Sequence, residues 1–95
     1  MGNEAIKYSP EDIERIFKAC VKERVYHKAS VKSGVICEWA FTYPNGKVTA
    51  DVTSAFCINP VNNDFETGCR VCDKNIKDAL WKICGQYTLI TGQKL

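Results

Sequence analysis

The feature that most constrains this chain is a pair of alternating segments separated by a tight-turn sequence. From Val35 to Tyr43, large apolar residues occupy every second position, a period typical of a β-strand with one buried face. Pro44-Asn45-Gly46 follows, and Asn-Gly between two alternating segments is a strong signal for a β-hairpin. The return strand is predicted from Lys47 to about Cys57.

The alternation divides each strand of the hairpin into two faces. The first strand places its largest side chains on one face: Val35, Cys37, Trp39, Phe41 and Tyr43. The return strand has its own set on one face: Val48, Ala50, Val52, Ser54 and Phe56. We expect hairpin pairing to bring these two sets together, giving an aromatic-rich face that a helix must cover.

A first helix is predicted on the N-terminal side of the hairpin. Ser9 can cap it, Pro10 suits the first helical position, and the two acids that follow favour the positive end of the helix dipole. Apolar residues then recur at helical spacing: Ile13, Ile16, Phe17, Cys20 and Val21. We expect this helix to end near Arg24, and residues 26–34 to form a loop or a short edge strand.

A second, longer helix is predicted after the hairpin. Asn59-Pro60 breaks the return strand, and Asn63 or the residue after it can cap the helix, with Glu66 in capping-box position. The apolar stripe of this helix comprises Phe65, Cys69, Cys72, Ile76, Ala79, Leu80 and Ile83. Gly85 is predicted to end the helix, leaving residues 87–90 as a tail that packs or pairs.

These elements predict a single α+β domain spanning residues 1–95. It comprises an N-terminal helix, an antiparallel hairpin or three-stranded sheet, and a long C-terminal helix packed on the sheet. A chain of 95 residues buries a modest fraction of its surface, so a homo-oligomer, as a dimer or larger, is a natural way to add buried area. The first six residues have neither the basic nor the apolar region expected of a signal peptide, and no apolar run approaches the roughly 20 residues of a membrane span. We therefore expect a cytoplasmic protein that does not enter a membrane.

The charge pattern bears on the class of partner. The formal net charge is +2, and the basic residues are interspersed with acidic ones along the chain. Proteins that bind nucleic acid usually show a basic face or stripe, so nucleic acid is an unlikely partner. A small anionic ligand, which needs only one or two cations, remains open.

The six cysteines raise the question of metal or redox chemistry. Cys69-x-x-Cys72 has the spacing of a zinc or redox motif, but both residues fall on the apolar stripe of the second helix. Zinc would also need Cys57 and Cys84, and Cys84 lies roughly 18 Å beyond Cys72 along that helix. His27 lacks an identifiable third group for a nucleophilic Cys-His dyad. Buried packing is therefore favoured, and we predict no metal, no cofactor and no catalytic residue.

The segment between hairpin and second helix resembles a known family. Its pattern is Cys57-Ile58-Asn59-Pro60-x-Asn62-x-Asp64-x-Glu66-x-Gly68, continued by Asn75 and Trp81. This pattern resembles small tailed-phage proteins known by phage gene number (the gene product 49 / gene 66 family), which share the length, the N-terminal helix and the hairpin. The family's usual residues are replaced at four positions: Asn59, Asn63, Cys72 and Ile76.

The resemblance carries an expectation about function. A related fold is expected in phage antagonists of Thoeris immunity, which sequester cyclic ADP-ribose signals. For this chain, the resemblance implies a protein that binds a nucleotide messenger tightly, does not cleave it, and assembles as a dimer or larger oligomer.

The same segment is the predicted ligand site, although turn and cap chemistry explains most of its side chains. Carboxylates at a helix tip suit ribose hydroxyls, whereas Arg70 and Lys74, one turn apart, suit a pyrophosphate. An aromatic residue at the strand end can stack on adenine, with Tyr26 and Tyr87 as alternatives. The predicted ligand-binding residues are Phe56, Asn59, Asn62, Asp64, Glu66, Arg70 and Lys74.

The predicted function is therefore a phage anti-defence protein in the cytoplasm of the infected bacterium. It would bind and sequester a cyclic nucleotide immune signal, of cyclic ADP-ribose type or a cyclic dinucleotide, without cleaving it. The alternative from a different class is a phage accessory module that binds a host enzyme through the hairpin face. An enzyme, such as a small nucleotide hydrolase, ranks third.

Overall fold

The protein is a three-stranded sheet with a long helix across one face. The computed structural model describes residues 7–30, 34–56 and 65–95. Its elements, in chain order, are α1 Pro10–Cys20, β1 Glu23–Lys28, β2 Val35–Thr42, β3 Val48–Ala55 and α2 Phe65–Thr91. The strands pair antiparallel in the order β1-β2-β3, which confirms the predicted α+β architecture in its three-stranded form. Neither of the described helices has the length and apolarity needed to cross a membrane.

The start of α1 follows from its sequence, but its end does not. Ser9 Oγ accepts a hydrogen bond from the Asp12 amide at 3.2 Å, and Asp12 Oδ2 accepts one from the Ser9 amide at 2.8 Å. This reciprocal capping box confirms Ser9 as the cap. The helix ends at Cys20, so the prediction of an end near Arg24 was wrong. Arg24 belongs to β1, where it pairs opposite Trp39, and strand pairing outweighs the helical pattern there.

The hairpin forms as predicted, but its register differs from the one expected. Tyr43 donates its amide hydrogen to the Lys47 carbonyl at 2.8 Å, so the loop has three residues. A two-residue Asn-Gly loop would require the amide hydrogen that Pro44 lacks, and Gly46 instead takes φ +88 in the longer turn. Because of this one-residue shift, the face of β3 that was expected to lie against the helix points away from it, and the other face takes its place. Phe41 consequently lies opposite Thr49, and Trp39 lies opposite Asp51.

This register corrects the predicted composition of the covered face. The aromatic residues of β2 do not meet the valines of β3, which lie on the opposite, outer face of the sheet. The covered face instead pairs each β2 core residue with a residue of the other β3 set: Thr49, Asp51, Thr53 and Ala55.

The long helix α2 continues through Gly85 to Thr91, so the prediction that Gly85 ends it was wrong. A glycine inside a helix costs about 1 kcal/mol relative to alanine, which tertiary packing on both sides outweighs. Cys84 is fully buried before it, and Tyr87 stacks on Tyr43 after it. The helix ends at Gly92, whose φ of 73 is the left-handed conformation that glycine favours at a helix end.

The core lies between α2 and the covered face of the sheet, with α1 packed beside α2. Its fully buried side chains include residues from every layer: Ile16, Phe41, Cys37, Cys72, Ile76, Leu80 and Cys84. The outer face of the sheet has no covering element among the described residues. Among the described residues, one groove lies on the outer face of the sheet and another lies on the side of the sheet that α2 covers.

Candidate functional site

The structure describes only part of the site predicted from the sequence. Asn59, Asn62 and Asp64 lie outside the described residues. Glu66 and Arg70 are exposed on the first turns of α2, where Arg70 Nη2 donates to Glu66 Oε1 at 2.7 Å. The guanidinium that was expected to meet a pyrophosphate is thus paired with the carboxylate that was expected to meet ribose.

The remaining two predicted residues lie near the same end of the sheet. Phe56 follows β3 and is half exposed, and its ring lies over Gly34, since a Cβ there would fall 2.3 Å from Phe56 Cδ1. Lys74 is exposed one turn beyond Arg70 and forms no ion pair with the described residues. Phe56 and the α2 cations therefore stay predictions.

A concavity formed by described residues lies at the other end of the sheet, between the hairpin turn and the last turns of α2. We call it the hairpin groove. Its volume is about 290 Å³. Its lining residues come from the hairpin and from α2 in equal number: Tyr43, Asn45, Lys47, Thr49, Gln86, Tyr87, Ile90 and Thr91. Both corrections above, the three-residue loop and the longer helix, are needed to form it.

Two tyrosines form the aromatic wall of the hairpin groove. The rings of Tyr43 and Tyr87 have centroids 6.1 Å apart and planes 23° apart, a stacked arrangement. Phe41 holds Tyr43 from the core side through an edge-on contact with centroids 4.8 Å apart. A ring fixed in this way offers a preformed surface for a planar ligand.

The polar groups of the hairpin groove suit an anion. Lys47 is exposed, and its ammonium forms no ion pair with the described residues. Asn45 Oδ1 accepts a hydrogen bond from the Lys47 backbone amide at 2.9 Å, and this bond holds the backbone of the turn that carries the Lys47 side chain. Gln86 and Thr49 add an amide and a hydroxyl, and the lining holds no carboxylate. A cation without a competing acid favours a negatively charged ligand.

The groove on the outer face of the sheet has the opposite charge. It has a volume of about 470 Å³, and its outward-facing side chains include two carboxylates, Glu23 and Glu38, without a lysine or arginine. Apolar side chains, including the half-exposed Val25 and Val52, fill the space between them. An anionic ligand is therefore expected in the hairpin groove and not on this face.

No family model, curated protein or solved structure matches this chain. The phage resemblance therefore stays a prediction, and the geometry of the described residues is the evidence that bears on function.

A polar cluster ties β1 to α2. The Tyr26 hydroxyl donates to Asp73 Oδ1, and Arg24 Nη1 lies 3.3 Å from Asp73 Oδ2. Burial, and secondarily the bond to Asp73, raises the pKa of Tyr26. Arg24 also lies over the Phe17 ring, 4.5 Å from its centroid. Each of these polar groups is bonded to another member of the cluster. We therefore interpret the cluster as a structural contact between β1 and α2 and not as a ligand site.

The cysteines and the histidine take structural positions. Burial raises the pKa values of Cys37 and Cys84 to about 11, so both are neutral thiols at neutral pH. His27 Nε2 lies 2.5 Å from Glu38 Oε2 on the outer face of the sheet, and Cys37 points to the covered face. Within the described part of the chain, no three His, Cys, Asp or Glu side chains are grouped so as to hold a metal ion.

Sequence reasoning missed Lys47 and Gln86 as site residues, and named Tyr87 only as an alternative. Lys47 could have been found from its position directly after a turn glycine, because cations at hairpin tips are well placed for ligands. Gln86 gave no such signal, since the sequence placed it just past the predicted end of α2.

Proposed function

We propose that this protein binds a small, planar, anionic ligand of nucleotide type in the hairpin groove and holds it without cleaving it. The observation that carries the proposal is the stacked pair Tyr43 and Tyr87 in a groove with Lys47, whose ammonium has no ion-pair partner in the described part of the chain. An aromatic surface suits a base, and a lysine suits a phosphate.

The size of the groove supports a ligand of this class. Ligand pockets are typically about 300–1,000 Å³, so a groove of about 290 Å³ suits one base with an adjoining phosphate better than a large cofactor. A bulkier cyclic signal would extend from the groove over exposed surface. The cyclic nucleotide suggested by the phage resemblance belongs to this class, and a sequestering role in anti-defence follows as the finer proposal.

Binding without turnover is proposed because the described lining of the groove offers no carboxylate, histidine or thiol to activate its tyrosine and threonine hydroxyls or a water molecule for attack on a phosphodiester. Its described side chains are tyrosines, amides, threonines, an isoleucine and a lysine, with no carboxylate, histidine or thiol. General acid-base or nucleophilic catalysis would need such a group near the reacting atom.

The test is a thermal-shift screen with cyclic dinucleotides, cyclic ADP-ribose isomers, AMP and adenosine. A ligand at 100 times its dissociation constant adds about 2.7 kcal/mol to stability, which for a domain of this size is roughly 10–20 °C in melting temperature. Adenosine is expected to give a smaller shift than AMP, because it lacks the phosphate that Lys47 would bind. No shift with any compound would refute the proposal.

Two variants decide between this groove and the site predicted from the sequence. Lys47→Gln should abolish most of the shift, because it removes the only cation of the groove, whereas the matched control Lys74→Gln should keep it. The reverse result would place the ligand at the start of α2. Recovery of intact ligand after heating excludes a hydrolase, and recovery of a cleaved product would contradict binding without turnover.

A second function, binding of another protein, is favoured by the outer face of the sheet. Its groove combines two outward-facing carboxylates with exposed valines, which suits a basic and partly apolar peptide segment. A charge reversal such as Glu38→Lys should abolish capture of such a partner and leave the nucleotide-induced shift unchanged.

A further inference from the structure

β3 is an edge strand among the described residues, and two of its outer backbone groups are hydrogen-bonded to side chains of the same chain. It follows β2 in the sheet, and no described strand lies on its other side. Two contacts identify its outward set: the Val52 amide donates to Asp51 Oδ1 at 2.8 Å, and the Ser54 carbonyl accepts from Asn75 Nδ2 at 3.2 Å. Because alternate residues of an antiparallel ladder point the same way, the outward residues are Val48, Ala50, Val52 and Ser54.

This edge lacks three of the features that usually prevent strand addition, although its one charged residue, Asp51, lies on the covered face. Edge strands are normally protected by lysine, proline or a bulge. The eight residues of β3 contain neither lysine nor proline, and they pair with β2 without interruption. Val48 and Val52 are 56% and 59% exposed, so β3 also presents apolar surface beside its free edge.

Beside this edge, α2 carries a stripe that complements itself when inverted. The stripe runs along the solvent-facing side of α2, with Asn75, which donates to the Ser54 carbonyl of β3, at its margin: Val71, Asn75, Asp78, Lys82, Gly85 and Leu89. Against an antiparallel copy of α2 centred on residue 80, Asp78 meets Lys82 of the copy and Val71 meets Leu89 of the copy. Asp78 and Lys82 are exposed and form no ion pair with the described residues.

The edge and the stripe share one centre. Asn75 is level with Ser54. From Asn75 to residue 80, α2 rises about 7.5 Å along its axis. From Ser54 to Val52, β3 spans about 6.8 Å in the same direction. Residue 80 of α2 is therefore level with Val52. A two-fold axis through Val52 would therefore serve both surfaces.

The resulting register is favourable at each position of β3. Val52 would pair with Val52 of the copy, Val48 with its Phe56, and Ala50 with its Ser54. Asp51 would face Thr53 of the copy and not a second aspartate. Since α2 lies over β2 and β3, a strand spacing of about 4.8 Å puts the two helix axes about 10 Å apart, a normal packing distance.

We propose that a second copy of this chain docks on the β3 edge, forming a six-stranded sheet with the two α2 helices side by side and antiparallel. On pairing, the Asp51 side chain releases the Val52 amide, and Asn75 releases the Ser54 carbonyl. The interface uses neither Lys47 nor the tyrosines of the hairpin groove, so it is tested independently of ligand binding.

The register is tested by disulfide cross-linking of cysteine variants. Val52→Cys should form a disulfide with itself, because residues directly opposite in a ladder have Cα atoms about 5.5 Å apart. Ala50→Cys alone should not, but mixed with Ser54→Cys it should form the mixed disulfide. The linked peptide is identified by mass spectrometry, which separates it from any linkage of native cysteines. Self-linkage of Ala50→Cys, or failure of Val52→Cys, would overturn the register.

The helix contact is tested by exchanging charges. Sedimentation should give twice the chain mass of 10.7 kDa for the parent protein. Asp78→Lys or Lys82→Asp should each raise the dimer dissociation constant about tenfold or more, because two like-charged pairs form across the axis. The double variant Asp78→Lys/Lys82→Asp should restore it, and Lys18→Asp on α1 should leave it unchanged. A parent that stays monomeric, or a dimer insensitive to the single variants, would refute the proposal.

Discussion

Gly68 and Gly85 lie in the same helix but in opposite surroundings, and replacing each with alanine tests the structure of α2. A Cβ on Gly68 would lie 2.3 Å from Cγ2 and 3.0 Å from Cβ of Val35, a buried β-branched residue at the start of β2. A Cβ on Gly85 would meet nothing within 4 Å. Gly68→Ala should therefore destabilise the protein, and Gly85→Ala should stabilise it.

The magnitudes follow from two separate contributions. Alanine gains about 1 kcal/mol over glycine inside a helix, and this gain applies to both variants. Forcing a methyl group into a packed core costs typically about 1–3 kcal/mol, and Val35 is too stiff to move aside. The helical gain cancels when the variants are compared, so their free energies of unfolding should differ by about 1–3 kcal/mol.

Urea unfolding followed by circular dichroism measures both values. Gly85→Ala should raise the melting temperature by roughly 4–8 °C. Equal stabilisation by both variants would refute the predicted contact between Gly68 and Val35. Destabilisation by Gly85→Ala would instead show that the helix ends at Gly85, as the sequence pattern alone suggested. The double variant Gly68→Ala/Val35→Ala should recover part of the loss if the clash is its cause.

Two further predictions concern pH and the contacts of α1 and β1. Tyr26→Phe should lower the free energy of unfolding by about 1–2 kcal/mol, because Asp73 keeps only Arg24. Since burial and Asp73 raise the Tyr26 pKa above its usual 10.0, the parent should lose this stability as the pH rises past 10, and the variant should show no such loss in alkaline urea titrations. Lys94 and Ser9 lower the pKa of Asp12 from 3.8 to about 2, so the parent should lose stability as the pH falls from 4 to 2. Asp12→Asn should show a shallower acid loss in melting temperature, and identical acid profiles would contradict this role of Asp12.

Local chemistry determined much of the fold without tertiary information. The Ser9 cap and Pro10 begin α1 because their preferences are set within one helical turn. The strand period of β2 and the Asn45-Gly46 turn define a hairpin, since alternation and positive φ are properties of neighbouring residues. The apolar stripe of α2 likewise indicated which side of the helix is buried.

Tertiary structure decided the features that position the candidate site. Pro44 shifts the register of β3 by one residue, and only the pairing with β2 shows which face of β3 results. Gly85 resembles a helix end locally, but the helix continues because Cys84 and Tyr87 pack on either side of it. Arg24 follows a helical pattern, yet β1 forms there because pairing with β2 and the contact with Asp73 are available.

The hairpin groove shows why sequence reasoning did not find a candidate site at this end of the sheet. Its hairpin and helix residues are separated by about forty positions, and the sequence gives no local sign of their meeting. Helix caps, turns and periodicity depend on contacts within a few residues, which a sequence records directly. A groove depends on strand register and helix length together, and both are set by the free energy of packing across the whole domain.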